Sequence, residues 1–397
     1  MTFSFPSSSS KQSTWLPEIL LLLLLSTGVT SRELVKNSDF ESPPSNLPKN
    51  LNSTSVVLNK NNTIPGWTFQ GGVEYITVGK NISLPDKGHA ILLGEDGKIN
   101  QTFTADADYL NYILTFALAP GGQNCSATAP LEVSAPDSDA IFTLNHRYWK
   151  EPWKVYGLYL GSWGDRESIN LEIGSLANDS TSTSTCWPAI DSLHLKTMGI
   201  VMPDNDNLVV NGGFEFGPDF LENTAGGVLL DSAPTPLFSP LIQWIVLGTV
   251  RYIDSKHFFV PQGNAAVEMI SGVSSGVQAA AKLQAGSSYT LDFTLGDAND
   301  SCAAKFLVGA QAGSTSRNFT LESNGTGSAV KFSMTFNAIP DVNTITFLSY
   351  TTTQTKDGDF CGPVIDDVIL RVSHGLRILM PWKSLVPLCL VTILYLL

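Results

Sequence analysis

A chain of 397 residues is too long for one ordinary domain and suits two of about 170 residues each once terminal signals are set aside. Only 15% of residues are charged, 33 are Gly and 22 are Pro, and Val, Ile, Thr and aromatic residues recur in short runs, which argues against a mainly helical fold. The net charge of −13 argues against a nucleic-acid partner.

Residues 1–30 carry Lys11, then an apolar run over 19–25, then the small-residue stretch 26–30, the layout of a secretory signal peptide. The run is too short to span a bilayer. From Leu34 the chain reads as a duplication. Leu34-Val35-Lys36-Asn37-Ser38-Asp39-Phe40-Glu41 returns as Leu208-Val209-Val210-Asn211-Gly212-Gly213-Phe214-Glu215. Ile64-Pro65-Gly66-Trp67 and Val73-Glu74-Tyr75-Ile76 return as Leu241-Ile242-Gln243-Trp244 and Val250-Arg251-Tyr252-Ile253. Further on, 84–90 matches 260–266, Cys125 matches Cys302, and Cys186-Trp187-Pro188-Ala189-Ile190-Asp191 matches Cys361-Gly362-Pro363-Val364-Ile365-Asp366. Repeats in one order define the architecture: a first β-sandwich over 32–200, a polar turn-forming link at 201–207, and a second β-sandwich over 207–373. The link is short, so the two modules pack or hinge closely. Short strands between Gly, Asn and Asp turns predict an all-β fold, two tandem jelly-roll β-sandwiches.

Four cysteines outside the tail allow three pairings, and the repeat selects Cys125 with Cys186 and Cys302 with Cys361, each closing a loop of about sixty residues worth roughly 4 kcal/mol. Sequons at Asn52, Asn61, Asn81, Asn100, Asn124, Asn178, Asn299, Asn318 and Asn324 predict a glycosylated surface. The chain ends in the apolar run 385–397 behind Arg377 and Lys383, so 374–397 reads as a GPI-attachment signal with Ser373 as its ω residue. Its removal would also remove Cys389. The expected location is extracellular, at the outer face of the plasma membrane through a lipid anchor, in the cell wall, or both.

The Asn-x-x-Phe-Glu opening, the Trp segment ending in Tyr-Ile, the Val-Pro-x-Gly strand entry and the Cys-Gly-Pro-x-Ile-Asp-Asp ending resemble the plant cell-wall family called domain of unknown function 642, over about residues 33 to 373. That resemblance implies galactose-binding-like sandwiches, an apoplastic place, association with wall polysaccharide such as cellulose or pectin, and interaction with pectin methylesterases. It implies no catalytic activity. The first copy departs from the pattern: Trp187 stands for Gly, Ser192 for the second Asp, and 139–163 is unlike the usual sequence.

Three readings follow. The leading one is a non-catalytic protein that binds wall polysaccharide or a basic pectin methylesterase. The second is a polysaccharide hydrolase or esterase using loop carboxylates. The third is a signalling or adhesion protein that binds another protein. Gly272-Val273-Ser274-Ser275-Gly276 fits a nucleophile elbow in letters, but that motif needs a following helix and none is predicted. No zinc spacing occurs among the five histidines. No cofactor is required; Glu41 with Asp191 and Glu215 with Asp366 are read first as hydrogen-bonded carboxylates, with a structural calcium site as the other reading. Sugar binding needs an exposed flat aromatic, and Trp149, Trp153 and Trp163 are the candidates, although burial in the core is the favoured role for this cluster. Trp67 and Trp244, being repeated, are assigned to the core.

Overall fold

The computed structural model describes residues 34–47, 55–79, 82–86, 88–106, 110–122, 125, 130–144, 146–148, 150–176, 186–203, 206–232, 239–270, 274–339 and 344–373. Residues 1–30, read above as a signal peptide, and 374–397, read as a GPI-attachment signal, lie outside them, as do Trp149, Asn52, Asn81, Asn124 and Asn178. Among the described residues there is no α-helix, and none therefore that could cross a membrane.

In the first half the strands are β1 (Ser55–Val57), β2 (Thr68–Gln70), β3 (Val73–Thr77), β4 (His89–Leu93), β5 (Lys98–Thr104), β6 (Leu110–Pro120), β7 (Leu131–Ala135), β8 (Ser138–Phe142), β9 (Lys154–Trp163), β10 (Ser168–Ser175) and β11 (Pro188–Met198). The second half has β12 (Val228–Asp231), β13 (Trp244–Leu247), β14 (Thr249–Asp254), β15 (Ala265–Glu268), β16 (Gly276–Ala280), β17 (Ser288–Gly296), β18 (Ala303–Ala312), β19 (Thr315–Asn324), β20 (Ala329–Asn337), β21 (Thr344–Ser349), a small hairpin of β22 (Thr353–Gln354) and β23 (Phe360–Cys361), and β24 (Val364–Val372). Each half is an antiparallel jelly-roll sandwich. One layer is β1-β3-β4-β11-β6-β9 in the first half and β12-β14-β15-β24-β17-β20 in the second; the other is β2-β5-β10-β7-β8 and β13-β16-β21-β18-β19. The same order recurs because the same landmarks recur.

The repeated residues have one shared job. Asn37 and Asn211 both adopt positive φ, 49° and 56°, which Asn tolerates better than most residues. Asn211 then accepts from the Phe216 N–H (3.0 Å) and donates to the Phe216 and Ile242 carbonyls (2.8 and 3.0 Å), while Asn37 accepts from Ser42 and donates to Ser42 and Pro65. Trp67 and Trp244 donate Nε1–H to the Asn37 and Asn211 carbonyls, at 3.2 and 2.9 Å. Tyr75 and Tyr252 donate to the carbonyls of Phe40 and Phe214, at 3.0 and 2.8 Å. Opening loop, Trp and Tyr are thus one knot, buried in both copies, and both tryptophans sit in the core as expected.

The two halves share a sheet. β12 runs parallel to β9 with Leu229 opposite Tyr156, so twelve strands form one layer and the described residues from Val35 to Ser373 belong to one compact unit. Around this seam Asp219 of the second half pairs with Lys196 (2.7 Å) and His194 (3.0 Å) of the first, Asn223 donates to Asp86, and Ile242 packs with Ile113, Tyr159 and Met198. Burial pushes the Asp219 carboxyl up, but the hydrogen bonds and charges of His194 and Lys196 outweigh it and hold the group below the ordinary carboxylate range.

Candidate functional site

The structure joins Cys125 to Cys186 and Cys302 to Cys361. It also brings each predicted carboxylate pair together. Glu215 Oε1 accepts the backbone N–H of Asn264 at 2.8 Å, and Glu41 Oε1 accepts that of His89 at 2.6 Å. Asp366 is fully buried and accepts from the backbone N–H groups of Asp367 (2.6 Å) and Gln262 (2.8 Å); Asp191, 1% exposed, accepts from Ser192 (2.6 Å). Calcium needs six to eight oxygen ligands. Among the described residues no group of three or more acidic, His or Cys side chains is gathered to hold a metal, and these carboxylates already face N–H donors. Each of the four is a carboxyl hydrogen-bonded to backbone N–H groups.

Burial pushes Asp191 up to about 8, opposed by the Ser192 N–H and reinforced by Asp86, Glu41 and Asp39. Asp366 is pushed up to about 7 by burial, opposed by the Asp367 and Gln262 N–H groups and reinforced by Asp367 and Glu215. A folded-state pKa above the unfolded one means that the folded chain holds more protons between the two values. Stability from these groups is complete below the unfolded value near 4 and is lost as pH rises through about 7 to 8. The melting temperature should therefore fall between pH 5 and 8, and Asp366→Asn should flatten that slope. A profile that rises over this window would contradict the assignment, and calcium that restores stability at the alkaline end would place a cation between the pairs.

Of the three stacking candidates, the two among the described residues lie in the interior, the role favoured from sequence. Trp153 is 7% exposed and Trp163 5%, both on or beside the seam strand β9, so neither offers a face to a sugar. Among the described residues the large aromatics with exposed side chains are Phe216 and Tyr350, and sequence reading singled out neither. Tyr350, 51% exposed, follows β21 and ties its N–H to the Leu307 carbonyl at 2.9 Å. Its ring folds back across Gly309 in the middle of β18, where a Cβ would meet ring atom Cε2 at 2.6 Å. Gly309 thus leaves the space that the hydroxyl end of the ring occupies.

Register fixes what surrounds that ring. Gly309 faces Leu348, Gln311 faces Thr346, and Thr346 faces Gln278 across β18, β21 and β16, all on the outer side of the sheet because Phe306, Val308 and Phe347 point into the core. Gln278 donates to Thr346 Oγ1 at 2.8 Å. This face sets the exposed Tyr350 ring beside the Gln311 and Gln278 amides, with the Thr346 hydroxyl buried under Gln278. An aromatic and amide groups are the two requirements for holding a pyranose. The matching face of the first half differs. Both faces carry an ion pair, Lys98–Glu172 at 2.8 Å in the first half and Lys305–Glu322 at 3.6 Å in the second, but Leu176 stands where Tyr350 does. The Ser274-Ser275 segment leads into strand β16 and no helix follows, so the elbow geometry is absent there.

A model of the family described as a protein of unknown function (DUF642) matches residues 33–196 and 207–371. The Arabidopsis thaliana Protein DUF642 L-GALACTONO-1,4-LACTONE-RESPONSIVE GENE 2 is 31% identical over 365 residues, covering 88% of this chain and 96% of that protein. Protein TEEBE of the same plant is 30% identical, covering 86% and 91%. Among solved structures, the N-terminal CBM22-1-CBM22-2 tandem domain of Paenibacillus barcinonensis Xyn10C covers 82% of this chain and 100% of its own at 10% identity, with a TM-score of 0.26. A likeness that distant adds nothing to the strand-by-strand description.

Proposed function

Because the chain belongs to the DUF642 family, we propose that it is an extracellular, wall-associated protein that binds carbohydrate without altering it. The observation that carries this reading is Tyr350, half-exposed with its ring against Gly309, on the sheet face that also bears Gln311, Thr346 and Gln278. Two disulfides support an oxidising compartment. The ligand we favour is a neutral wall polysaccharide such as cellulose or methylated pectin, since a chain of net charge −13 repels demethylated pectin. The same charge would attract a basic pectin methylesterase as a protein partner. Attachment by a lipid at Ser373, glycosylation at the sequons, and a division into sandwiches at 32–200 and 207–373 belong to this proposal.

Affinity electrophoresis in gels containing cellulose derivatives, methylated pectin or demethylated pectin tests it, beside an assay for released sugar or methanol. Tyr350→Ala should weaken binding about tenfold or more, as loss of the roughly 1.5–3 kcal/mol from one buried aromatic face implies. Asn318, a sequon residue, lies opposite Gly309 on the same face, so enzymatically deglycosylated protein is run in parallel. Unchanged retention of the Tyr350→Ala protein on every gel would dismiss the platform. Turnover that one carboxylate substitution abolishes would turn the reading to an enzyme.

A further inference from the structure

A cleft of about 360 Å³ opens between the two halves, within the size range of small-ligand sites. The first half supplies Asn111 and Tyr159 to its wall; the second supplies Ile242, Gln243, Ile245 and Gln278. Tyr159 donates to Asn111 Oδ1 at 3.1 Å, which fixes both polar ends at the wall. Burial, reinforced by Asp137, pushes the Tyr159 phenol up, so it stays a neutral donor. None of the described lining residues carries a charge.

Two features tie this cleft to the Tyr350 face. Gln278 belongs to both: it lines the cleft and it stands on the outer sheet face opposite Thr346. From Gly309 to Gln278 is two strands across and two residues along, roughly 12 Å by ordinary sheet spacing, the length of a few sugar rings. The second feature is backbone strain. The turn before the repeated Trp is left-handed in both copies, at φ 84° in Gly66 and 67° in Gln243. The first copy keeps the residue such a turn favours, whereas the second puts a glutamine there and aims it at the cleft. Strain retained at a wall residue points to a use for its side chain.

We infer that the cleft is the end subsite of a glycan path that begins on Tyr350, taking the uncharged terminal residues of a neutral oligosaccharide between the two halves. This rests on the carbohydrate-binding reading above. Amides at Asn111, Gln243 and Gln278 serve the sugar hydroxyls, Ile242 and Ile245 serve its apolar edges, and neither half has the subsite alone.

The test is titration calorimetry of the full chain with neutral cello-oligosaccharides from mono- to hexasaccharide, and with oligogalacturonates of the same lengths. Affinity for the neutral series should rise with length until the path is filled. Gln243→Gly should keep the affinity for the shortest ligands that bind and lose about tenfold for the longest, while its melting temperature rises by about 2–4 °C as the strained turn is relieved. Asn111→Ala should show the same length-dependent loss, and Tyr350→Ala should weaken every length. If Gln243→Gly and Asn111→Ala match the wild type at all lengths while Tyr350→Ala loses binding, the end subsite is wrong and carbohydrate binding stands. Stronger binding of oligogalacturonates would overturn the neutral assignment, and no binding of either series by the wild type would remove both readings.

Discussion

Replacing Arg251 by methionine should destabilise the second half by about 3–5 kcal/mol, the cost of leaving buried charges without their partner. Arg251 is 1% exposed; it donates Nε–H to Glu268 at 2.6 Å and Nη2–H to Asp300 at 2.7 Å, and its guanidinium lies over Phe258 at 5.2 Å. Burial alone would push the guanidinium down, but Glu268 and Asp300 outweigh it and keep it charged. Glu268 is fully buried and its other oxygen accepts the Gly362 N–H at 3.0 Å, so it has no route to water when Arg251 is gone. Urea titration would measure the loss. The double change Arg251→Met with Glu268→Met should recover much of it, because two apolar side chains leave only Asp300 to be solvated. A single-mutant loss below about 1 kcal/mol would show that water reaches the cluster.

Removing both cysteines of the second pair, Cys302→Ala with Cys361→Ala, should cost about 4 kcal/mol by the loop-closure argument for a separation of 59 residues. Removing Cys125 and Cys186, 61 residues apart, should cost nearly the same through that route. The two pairs differ in packing. Cys302 and Cys361 are fully buried in the main core and Cys125 and Cys186 are half-exposed, so the second pair should lose about 1 kcal/mol more from the voids left behind. Equal losses, measured by urea titration under oxidising conditions, would assign the whole effect to the unfolded chain.

Much of the fold was legible because duplication printed each structural requirement twice. Asn37 and Asn211, Trp67 and Trp244, and Tyr75 and Tyr252 recur because each pair makes the same hydrogen bonds in the same knot. The cysteine pairing followed from that same order. The candidate site was less legible. Trp153 and Trp163, on or beside the seam strand β9, admit from sequence either a sugar platform or the favoured core role. The structure gives the core: Trp163 packs on Tyr112 and Phe103, and Trp153 joins the main core cluster. The unusual stretch 139–163 includes that seam strand. Tyr350 was missed because its signal is Gly309, and only the β18–β21 register brings the two together. Gln243 was visible in the alignment of the two copies as a glutamine facing Gly66, but its meaning depended on the positive φ that both share.

The seam also bears on the history of the duplication. Ten residues of β9 are almost wholly buried, whereas β20 in the equivalent place alternates polar residues outward, with Lys331, Ser333 and Thr335 exposed at a sheet margin. A tandem of two second copies would set that polar strand against β12, and a tandem of two first copies would leave the aromatic β9 bare at the end of the sheet. Neither ancestor-like arrangement is now available without new substitutions, so the order of the copies has become irreversible. Each half can drift only within the limits that the other, at its own fixed position in the chain, allows.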